Sequence, residues 1–285
     1  MLAAPASMYP PAHRTLDLLE LLADTPDGLA LSAIAGALAM PKSVAHRLLA
    51  GLAERGFVQQ DPGTQHYGLT LKLAALGFRH LAATRIEEVC QPVLNRLAAD
   101  SGELARLAVV DGERMTWVAK AQGALSGLRY DADAGRDVVL HATAVGKAWL
   151  ASLPEETALA IVARTDFAAF PHLGPRAART LGALRQQLRD TRKRGYGEAV
   201  EEGEPGVAAI AAAIRASNAP GAPVVATLSI AGPLARMTVA HRNALRAPLL
   251  SAAAELTAFW PVRERHQRER SAVPVNPQPE AADVR

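Results

Sequence analysis

Cysteine is almost absent from this chain of 285 residues, where Cys90 is the only one. A single cysteine excludes an intramolecular disulfide and a metal site built from cysteines alone, and it is typical of a reducing compartment. We interpret Cys90 as a small buried apolar residue.

The sequence also lacks the features of membrane insertion and export. No apolar run approaches the roughly 18 residues that a membrane-spanning helix needs. The opening segment, MLAAPASMYPPA, has no positively charged region and is interrupted by Pro5, Pro10 and Pro11, which is not typical of a signal peptide. We therefore expect a cytoplasmic protein with no membrane partner.

Residues for catalysis or metal binding do not cluster in the sequence. His141, His172 and His241 lie in separate segments without metal-ligand spacing, and no Ser/His/Asp or Cys/His pairing follows from spacing. The segment TAVGKA differs from a phosphate-binding loop, which needs glycine at position 141 and a hydroxyl side chain in place of Ala148. We predict no catalytic residue, no metal and no cofactor.

An acidic segment, EAVEEGE at 198–204, is interpreted as a solvated turn. Glu201 and Glu202 as a paired general acid and base remain an open alternative.

Length and composition are those of a globular protein. With 49% hydrophobic residues the chain can bury at least one full core, and one or two domains are expected. The net charge is +3, and the basic surplus lies late in the chain, at 192–195 and 263–270. Such a small surplus does not by itself indicate a nucleic-acid partner.

Helical patterns begin near the start of the chain. Apolar spacing predicts a helix over 13–23, followed by the turn sequence TPDG. A second short helix follows Ser32, predicted as its N-cap, and ends at Ala39. Pro41 suits the first position of a third helix, and Gly56 suits the position just past its end.

The third helix has two unlike faces. At about 100° per residue, one face is apolar and contains Val44, Leu48, Leu49 and Leu52. The opposite face contains Lys42, Ser43, His46, Arg47 and Ala50. The first face is predicted to pack in the core, and the second is predicted to remain free of contacts within the domain.

Two short strands, at 57–60 and 66–71, follow this helix and are joined by the turn sequence DPGT. Two helices followed by such a ribbon form a winged helix-turn-helix, in which the second helix enters the major groove of DNA. The predicted DNA-contact residues are Ser32, Lys42, Ser43, His46, Arg47 and His66. The alternative is an ordinary solvated helix face.

Charge in this region argues against strong non-specific DNA binding. Acidic residues outnumber basic ones over 1–70, where Arg14, Lys42, Arg47 and Arg55 stand against Asp17, Glu20, Asp24, Asp27, Glu54 and Asp61. We therefore expect a local basic edge, two domains acting together and weak non-specific affinity.

The remainder of the chain mixes strands and helices without strict alternation, which favours an α+β fold. Two strands joined at Asp111 and Gly112 are predicted within 103–121, and central strands at 207–214 and 223–232. Helices are predicted from the loop at His141 to Leu153, at 181–195 and at 235–259. The predicted domains are a winged helix-turn-helix at 9–71, a linker and dimerisation helix at 72–100, a sheet domain at 101–262 and a disordered tail at 263–285. A break in the linker helix before Arg85 or at Pro92 stays open.

Five blocks in order resemble the IclR family of bacterial transcriptional regulators over 13–260. They are MPKSVAHRLLAGLAERGFV, HYGLTLKLAALG, LHATAVGKAWLA, TRKRGYGEAVEEGEPGVAAIAA and VVATLSIAGP. The resemblance implies a DNA-binding winged domain, a C-terminal GAF-like domain with an antiparallel sheet that binds a small organic acid or aromatic metabolite, and a homodimer or dimer of dimers on operator DNA. The rival hypothesis is a metabolic enzyme that has a helix-turn-helix appendage.

The resemblance also implies the effector contacts, which map to Ala144, Val145, Gly146, Ala199, Val207, Ala209, Ser229 and Ala231. Where glyoxylate-binding members place an acidic residue, a cysteine and a second serine, this chain has Ala199, Ala209 and Ala231. We expect a less polar pocket and a larger or more apolar effector. The expected donors for its carboxylate are the backbone N–H groups at 144–146 and the Ser229 hydroxyl. The alternative is a domain that binds no effector and serves only in dimerisation.

Overall fold

The computed structural model describes residues 10–131, 137–165, 167, 170 and 172–271, with side chains described from residue 12 to residue 260. The chain divides into two compact units, the first ending at Ala83 and the second beginning at Thr84.

The first unit contains the predicted helix-helix-ribbon order. Its elements are α1 (Pro10–Ala23), α2 (Leu31–Ala37), α3 (Lys42–Glu54), β1 (Val58–Gln60), β2 (Tyr67–Leu69) and α4 (Lys72–Thr84) without its last residue. The strands β1 and β2 pair antiparallel, with Gln59 opposite Gly68. The core of this unit comprises Leu18, Leu22, Ile34, Leu49, Leu52, Val58 and Tyr67. The winged helix-turn-helix prediction is confirmed.

Glycine is required at position 28, where the chain before α2 lies against β2. Leu29 forms an isolated antiparallel bridge with Tyr67. Gly28 has φ +71°, and a Cβ there would lie 2.8 Å from the carbonyl oxygen of Tyr67. A side chain would therefore be both strained and blocked.

Three helix starts differ from the sequence prediction. α1 begins at Pro10, three residues before the predicted start. The prediction of Ser32 as N-cap is wrong, because α2 begins at Leu31 and Ala30 takes the extended cap position without a side-chain hydrogen bond. Pro41 is the N-cap of α3, and its first helical residue is Lys42.

The predicted linker helix is two helices. α4 ends at Thr84, and α5 (Ile86–Ser101) begins after Arg85, whose φ of +55° cannot continue a right-handed helix. The sequence leaves two positions for a break open. The break occurs at Arg85, and Pro92 lies inside α5. The residues of α5 belong to the second unit.

The second unit is built on a five-stranded sheet with the order β4-β3-β7-β6-β5, in which all neighbours are antiparallel. The strands are β3 (Leu104–Asp111), β4 (Arg114–Gln122), β5 (Gly197–Val200), β6 (Val207–Arg215) and β7 (Val224–Pro233). The other helices are α6 (Ala144–Leu150), α7 (Glu155–Ala163), α8 (Leu181–Arg194) and α9 (Val239–Ser271). The predicted α+β class with an antiparallel sheet is confirmed, whereas α7 and β5 were not predicted.

Side chains alternate between the two faces along each strand, so each face of the sheet packs into a hydrophobic core of its own. One face packs against α5 and α9, where Cys90 is fully buried, as interpreted from the sequence. The other face packs against α6, α7 and α8. Successive residues of a central strand therefore face the α5–α9 layer and the α6–α8 layer in turn.

The chain end differs from the prediction of disorder from residue 263. α9 continues to Ser271, while residues 272–285 lie outside those described. Within the described residues, none of the helices combines the length and the apolar character needed to cross a membrane.

Candidate functional site

The polar face of α3 is free in the first unit. Lys42, Ser43, His46 and Arg47 are exposed, while Ala45, Leu49 and Leu52 of the same helix are buried. None of the four polar side chains forms a hydrogen bond or ion pair with another described residue. The two faces therefore divide as the sequence periodicity predicts.

The other two predicted DNA contacts lie on neighbouring elements. Ser32 is exposed on α2, and His66 is half-buried just before β2.

The ribbon turn before His66 is held by Asp61. Its Oδ1 accepts hydrogen bonds from the N–H groups of Thr64 at 2.7 Å and Gly63 at 3.1 Å and from the Thr64 hydroxyl at 2.8 Å. These bonds, chiefly the one from the Thr64 N–H, hold the pKa of Asp61 below its ordinary value. The ribbon tip thus has a fixed negative charge, which disfavours phosphate contact at Asp61 itself.

Strand register brings distant residues of the second unit together. Ala199, Ala209 and Ala231 are direct partners across β5, β6 and β7. Ser229 lies one pleat further along β7, with Arg106 as its partner on β3. Since their strand neighbours Leu228 and Ile230 belong to the α5–α9 core, Ser229 and Ala231 face the α6–α8 layer.

These residues border a cavity of about 40 Å³. Seven of the eight predicted effector contacts line it: Ala144, Val145, Ala199, Val207, Ala209, Ser229 and Ala231. Its other lining residues are Arg106, Trp117, Tyr130, Ala142, Thr143, Gly203 and Glu204.

Gly146, the eighth predicted contact, does not line the cavity. A Cβ at this position would lie 2.2 Å from the carbonyl oxygen of Leu140, so glycine permits a close backbone approach. The Gly146 N–H donates to Oγ1 of the N-cap Thr143 at 3.1 Å. The close packing against Leu140 accounts for glycine at this position, and its N–H group already donates to Thr143.

The cavity has a buried cation that sequence reasoning missed. Arg106 is 9% exposed, and its guanidinium carbon lies 3.7 Å from the centroid of the Trp117 ring. Burial lowers the pKa of Arg106, and Tyr130 and Glu204 nearby oppose that change. The guanidinium remains charged near neutral pH, because arginine is not deprotonated in proteins.

Two further polar side chains stand at the cavity. The Tyr130 hydroxyl donates to Oε1 of Glu204 at 2.8 Å. Burial raises the pKa of Tyr130 to about 12, so this hydroxyl is neutral near pH 7. Glu204 is exposed, and its carboxylate therefore lies at the solvent side of the cavity.

The expectation of a less polar pocket holds only in part. Three alanines do line the cavity, but Arg106, Tyr130 and Glu204 line it as well. The Ser229 hydroxyl, an expected carboxylate donor, donates to the carbonyl oxygen of Arg106 at 3.4 Å. The strongest donor at the cavity is thus a side chain that no local motif indicates.

The acidic segment at 198–204 is not a solvated turn, and this prediction is wrong. It begins in β5, and Glu202 is buried with both carboxylate oxygens held by Nζ of Lys147. Glu201 has other partners, since its Oε1 accepts from the Gly206 N–H at 3.3 Å. The two carboxyl groups are therefore engaged separately, which argues against a paired acid and base.

His141 is a buried ring and not a surface histidine. It is 1% exposed, and its centroid lies 4.6 Å from that of Phe167 and 5.7 Å from that of Phe170. Burial, with a smaller contribution from Arg179, lowers its pKa to about 4. No group of three or more His, Cys, Asp or Glu side chains suited to a metal ion occurs within the described ranges.

Two family models match the two units. The IclR helix-turn-helix domain matches residues 11–62, and the bacterial transcriptional regulator IclR C-terminal domain matches residues 78–258. The acetate operon repressor of Salmonella typhimurium is 31% identical over 251 residues, which cover 87% of this chain and 88% of that protein. The transcriptional regulator BhcR of Paracoccus denitrificans is 32% identical over 250 residues, covering 86% and 85%.

A solved structure with a bound small molecule is also similar. It is an IclR homologue from Microbacterium hydrocarbonoxydans in complex with 4-hydroxybenzoate, with 25% identity and a TM-score of 0.66. The match covers 86% of this chain and 98% of that one.

Proposed function

The chain belongs to the IclR family of bacterial transcriptional regulators, and on that premise we propose that it binds operator DNA through α3 and responds to a small organic acid or aromatic metabolite bound in the cavity of its second unit. As a member of this family it is a DNA-binding transcriptional regulator, and the enzyme alternative is set aside.

The DNA contact is assigned to the free face of α3. Lys42 and Arg47 supply positive charge there, and Ser43 and His46 supply hydrogen-bonding groups for base edges. Ser32 on α2 and His66 beside the ribbon complete the proposed set. Since the four polar side chains of α3 have no hydrogen-bond or ion-pair partner among the described residues, DNA can occupy this face without breaking internal bonds.

The proposed assembly is a homodimer, or a pair of dimers, on pseudo-palindromic half-sites. Every residue from Leu71 to His80 is exposed, including Leu73, Leu76 and Phe78. A helix with exposed apolar side chains gains stability when a partner covers them. A second copy of α4 is the proposed partner, and two acidic winged domains would then share the phosphate contacts.

The effector site rests on one observation: seven residues assigned from the family resemblance line one cavity in the second unit. They come from α6, β5, β6 and β7, so their convergence depends on the fold. The 4-hydroxybenzoate complex of the Microbacterium homologue supports a small acid as the ligand class. We place the protein in the cytoplasm, where operator DNA is found.

Footprinting on the DNA upstream of the protein's own gene and its neighbours tests this proposal. The protein should protect a pseudo-palindromic site, and an acid from a panel running from glyoxylate and pyruvate to benzoate should change that protection. A matched control is the variant Lys42→Ala/Arg47→Ala, which should fold normally and protect nothing. Protection that no acid alters, with no acid raising the melting temperature, would leave a DNA-binding protein without this effector function.

A further inference from the structure

A buried cation whose Nε lacks a partner within the described part of the chain lies in the cavity wall, where the Tyr130 side chain interacts favourably with the rest of its guanidinium. Arg106 is more than nine-tenths buried, and its Nε has no hydrogen-bond partner among the described residues. Burying a charged donor without an acceptor is unfavourable, and native proteins rarely leave such groups unpaired. The empty position beside Nε is therefore suited to an acceptor supplied from outside the chain.

Nearby carboxylates do not take this position. Glu204 is exposed and accepts its hydrogen bond from Tyr130. Asp131 forms an ion pair with Nζ of Lys120 at 2.9 Å. The rest of the wall near Arg106 is largely apolar, formed by residues such as Ala144, Val145 and Ala231. The chain thus provides positive charge at depth and negative charge at the solvent side.

The size of the cavity limits what can bind beside the guanidinium. A volume of about 40 Å³ accommodates roughly three water-sized groups. A carboxylate has three non-hydrogen atoms, and its two oxygens match the parallel N–H groups of a guanidinium. A larger ligand body needs more room than this, and opening the Tyr130 to Glu204 hydrogen bond at the solvent side of the cavity would provide it.

The geometry points to Arg106 as the residue that binds the carboxylate of the effector, so that the cavity accepts monocarboxylic acids and rejects their neutral amides. A dicarboxylic acid is disfavoured because its second charge would approach Glu204. Arg106, rather than the helix start at 144–146, is then the specificity-determining group. This inference rests on the effector function proposed above.

Isothermal titration of the full-length protein with benzoate, benzamide, pyruvate and pyruvamide tests the inference. We expect at least one acid to bind the wild type about tenfold or more tightly than its amide. In Arg106→Gln that acid should bind about tenfold or more weakly, and the preference for acid over amide should disappear. Operator affinity without acid should not change.

Arg129→Gln is the matched control, since it removes an equal charge from a nearby exposed side chain. It should bind the acid as the wild type does. If Arg106→Gln fails to fold, Arg106→Lys retains the charge but lacks the paired N–H groups, and its acid affinity should fall while the preference for acid remains.

The outcomes separate the two proposals. An Arg106→Gln variant that binds the acid within about twofold of the wild type, and is still released from or recruited to DNA by it, overturns the role of Arg106 and leaves the effector function intact. An amide that binds as tightly as its acid also overturns this role. If no acid binds the wild type, the effector function fails and this inference fails with it.

Discussion

Nζ of Lys147 lies 2.7 Å from Oε1 and 2.8 Å from Oε2 of Glu202, with the two side chains 2% and 9% exposed. Lys147 is in α6, and Glu202 is in the turn between β5 and β6. Val145, two residues before Lys147, and Gly203, directly after Glu202, line the cavity. The buried pair therefore fixes two walls of the cavity relative to each other.

Removal of one partner of this pair should destabilise the second unit strongly. Lys147→Met leaves Glu202 as an uncompensated buried charge, and we expect a loss of about 3 to 5 kcal/mol in the free energy of unfolding. The double variant Lys147→Met/Glu202→Leu should recover most of that loss, because no charge is then buried alone.

Urea denaturation of the three proteins measures these differences. The exposed ion pair of Arg164 with Glu113 provides the control, and Arg164→Ala should unfold close to the wild type. A double variant as unstable as Lys147→Met would show that the cost arises from packing and not from the lone carboxylate.

The exposed face of α3 leads to a prediction for DNA affinity. Arg47→Ala should weaken specific binding by about 1 to 3 kcal/mol if the guanidinium reaches a base, whereas Lys42→Ala should weaken all sequences alike and reduce the salt slope by about 1. Arg55→Ala serves as control, since Arg55 lies roughly 12 Å further along the helix axis from Arg47. Fluorescence anisotropy at several salt concentrations measures each effect. A melting temperature for Arg47→Ala that falls in step with affinity would instead assign Arg47 to the fold.

The exposed apolar side chains of α4 predict the assembly. Light scattering on the wild type should give at least twice the chain mass of 30.0 kDa. Phe78, 69% exposed in the single chain, should be covered in the dimer, so Phe78→Glu should shift the protein toward monomer and weaken operator binding. Val239→Glu changes a similarly exposed apolar residue outside α4 and should have neither effect. A stable wild-type monomer that binds operator as tightly as the unfractionated protein would contradict this assembly.

The buried ring of His141 predicts a dependence of stability on pH. Its pKa of about 4 in the folded protein lies below the ordinary 6.5, so between these values the unfolded chain binds more protons. Its contribution to stability is therefore complete above about pH 6.5 and is lost as the pH falls toward about 4. Urea denaturation at several pH values should show the difference between wild type and His141→Asn rising with pH in this window. The exposed His172→Asn is the control, and a flat difference for His141→Asn would refute the assignment.

The first unit could be predicted almost wholly from local patterns. Its apolar spacing, its turn sequences and Gly56 each depend on neighbouring residues. The errors are at boundaries: Ser32 has the chemistry of an N-cap, but Leu31 already begins α2. Arg85 breaks the linker through a left-handed backbone, which no residue preference for arginine indicates.

The cavity could be predicted only where the family resemblance supplied positions. Ala199, Ala209 and Ala231 meet through strand register, which links residues far apart in sequence. Arg106 escaped prediction because its place depends on pairing with Ser229, and its own segment resembles an ordinary strand. Glu202 escaped because a segment rich in glutamate is usually solvated, whereas here Lys147 compensates its burial.

The most direct test of the central claim, that the cavity controls operator binding, compares operator affinity with and without acid in the wild type and in Ala209→Trp. The indole is larger than the cavity of about 40 Å³ and should exclude the acid from it, while the DNA-binding unit is untouched. We predict that an acid which stabilises the wild type changes its operator affinity by about fivefold or more, and that Ala209→Trp binds operator normally but gives no change. An Ala209→Trp variant that responds to the acid as the wild type does would contradict the account.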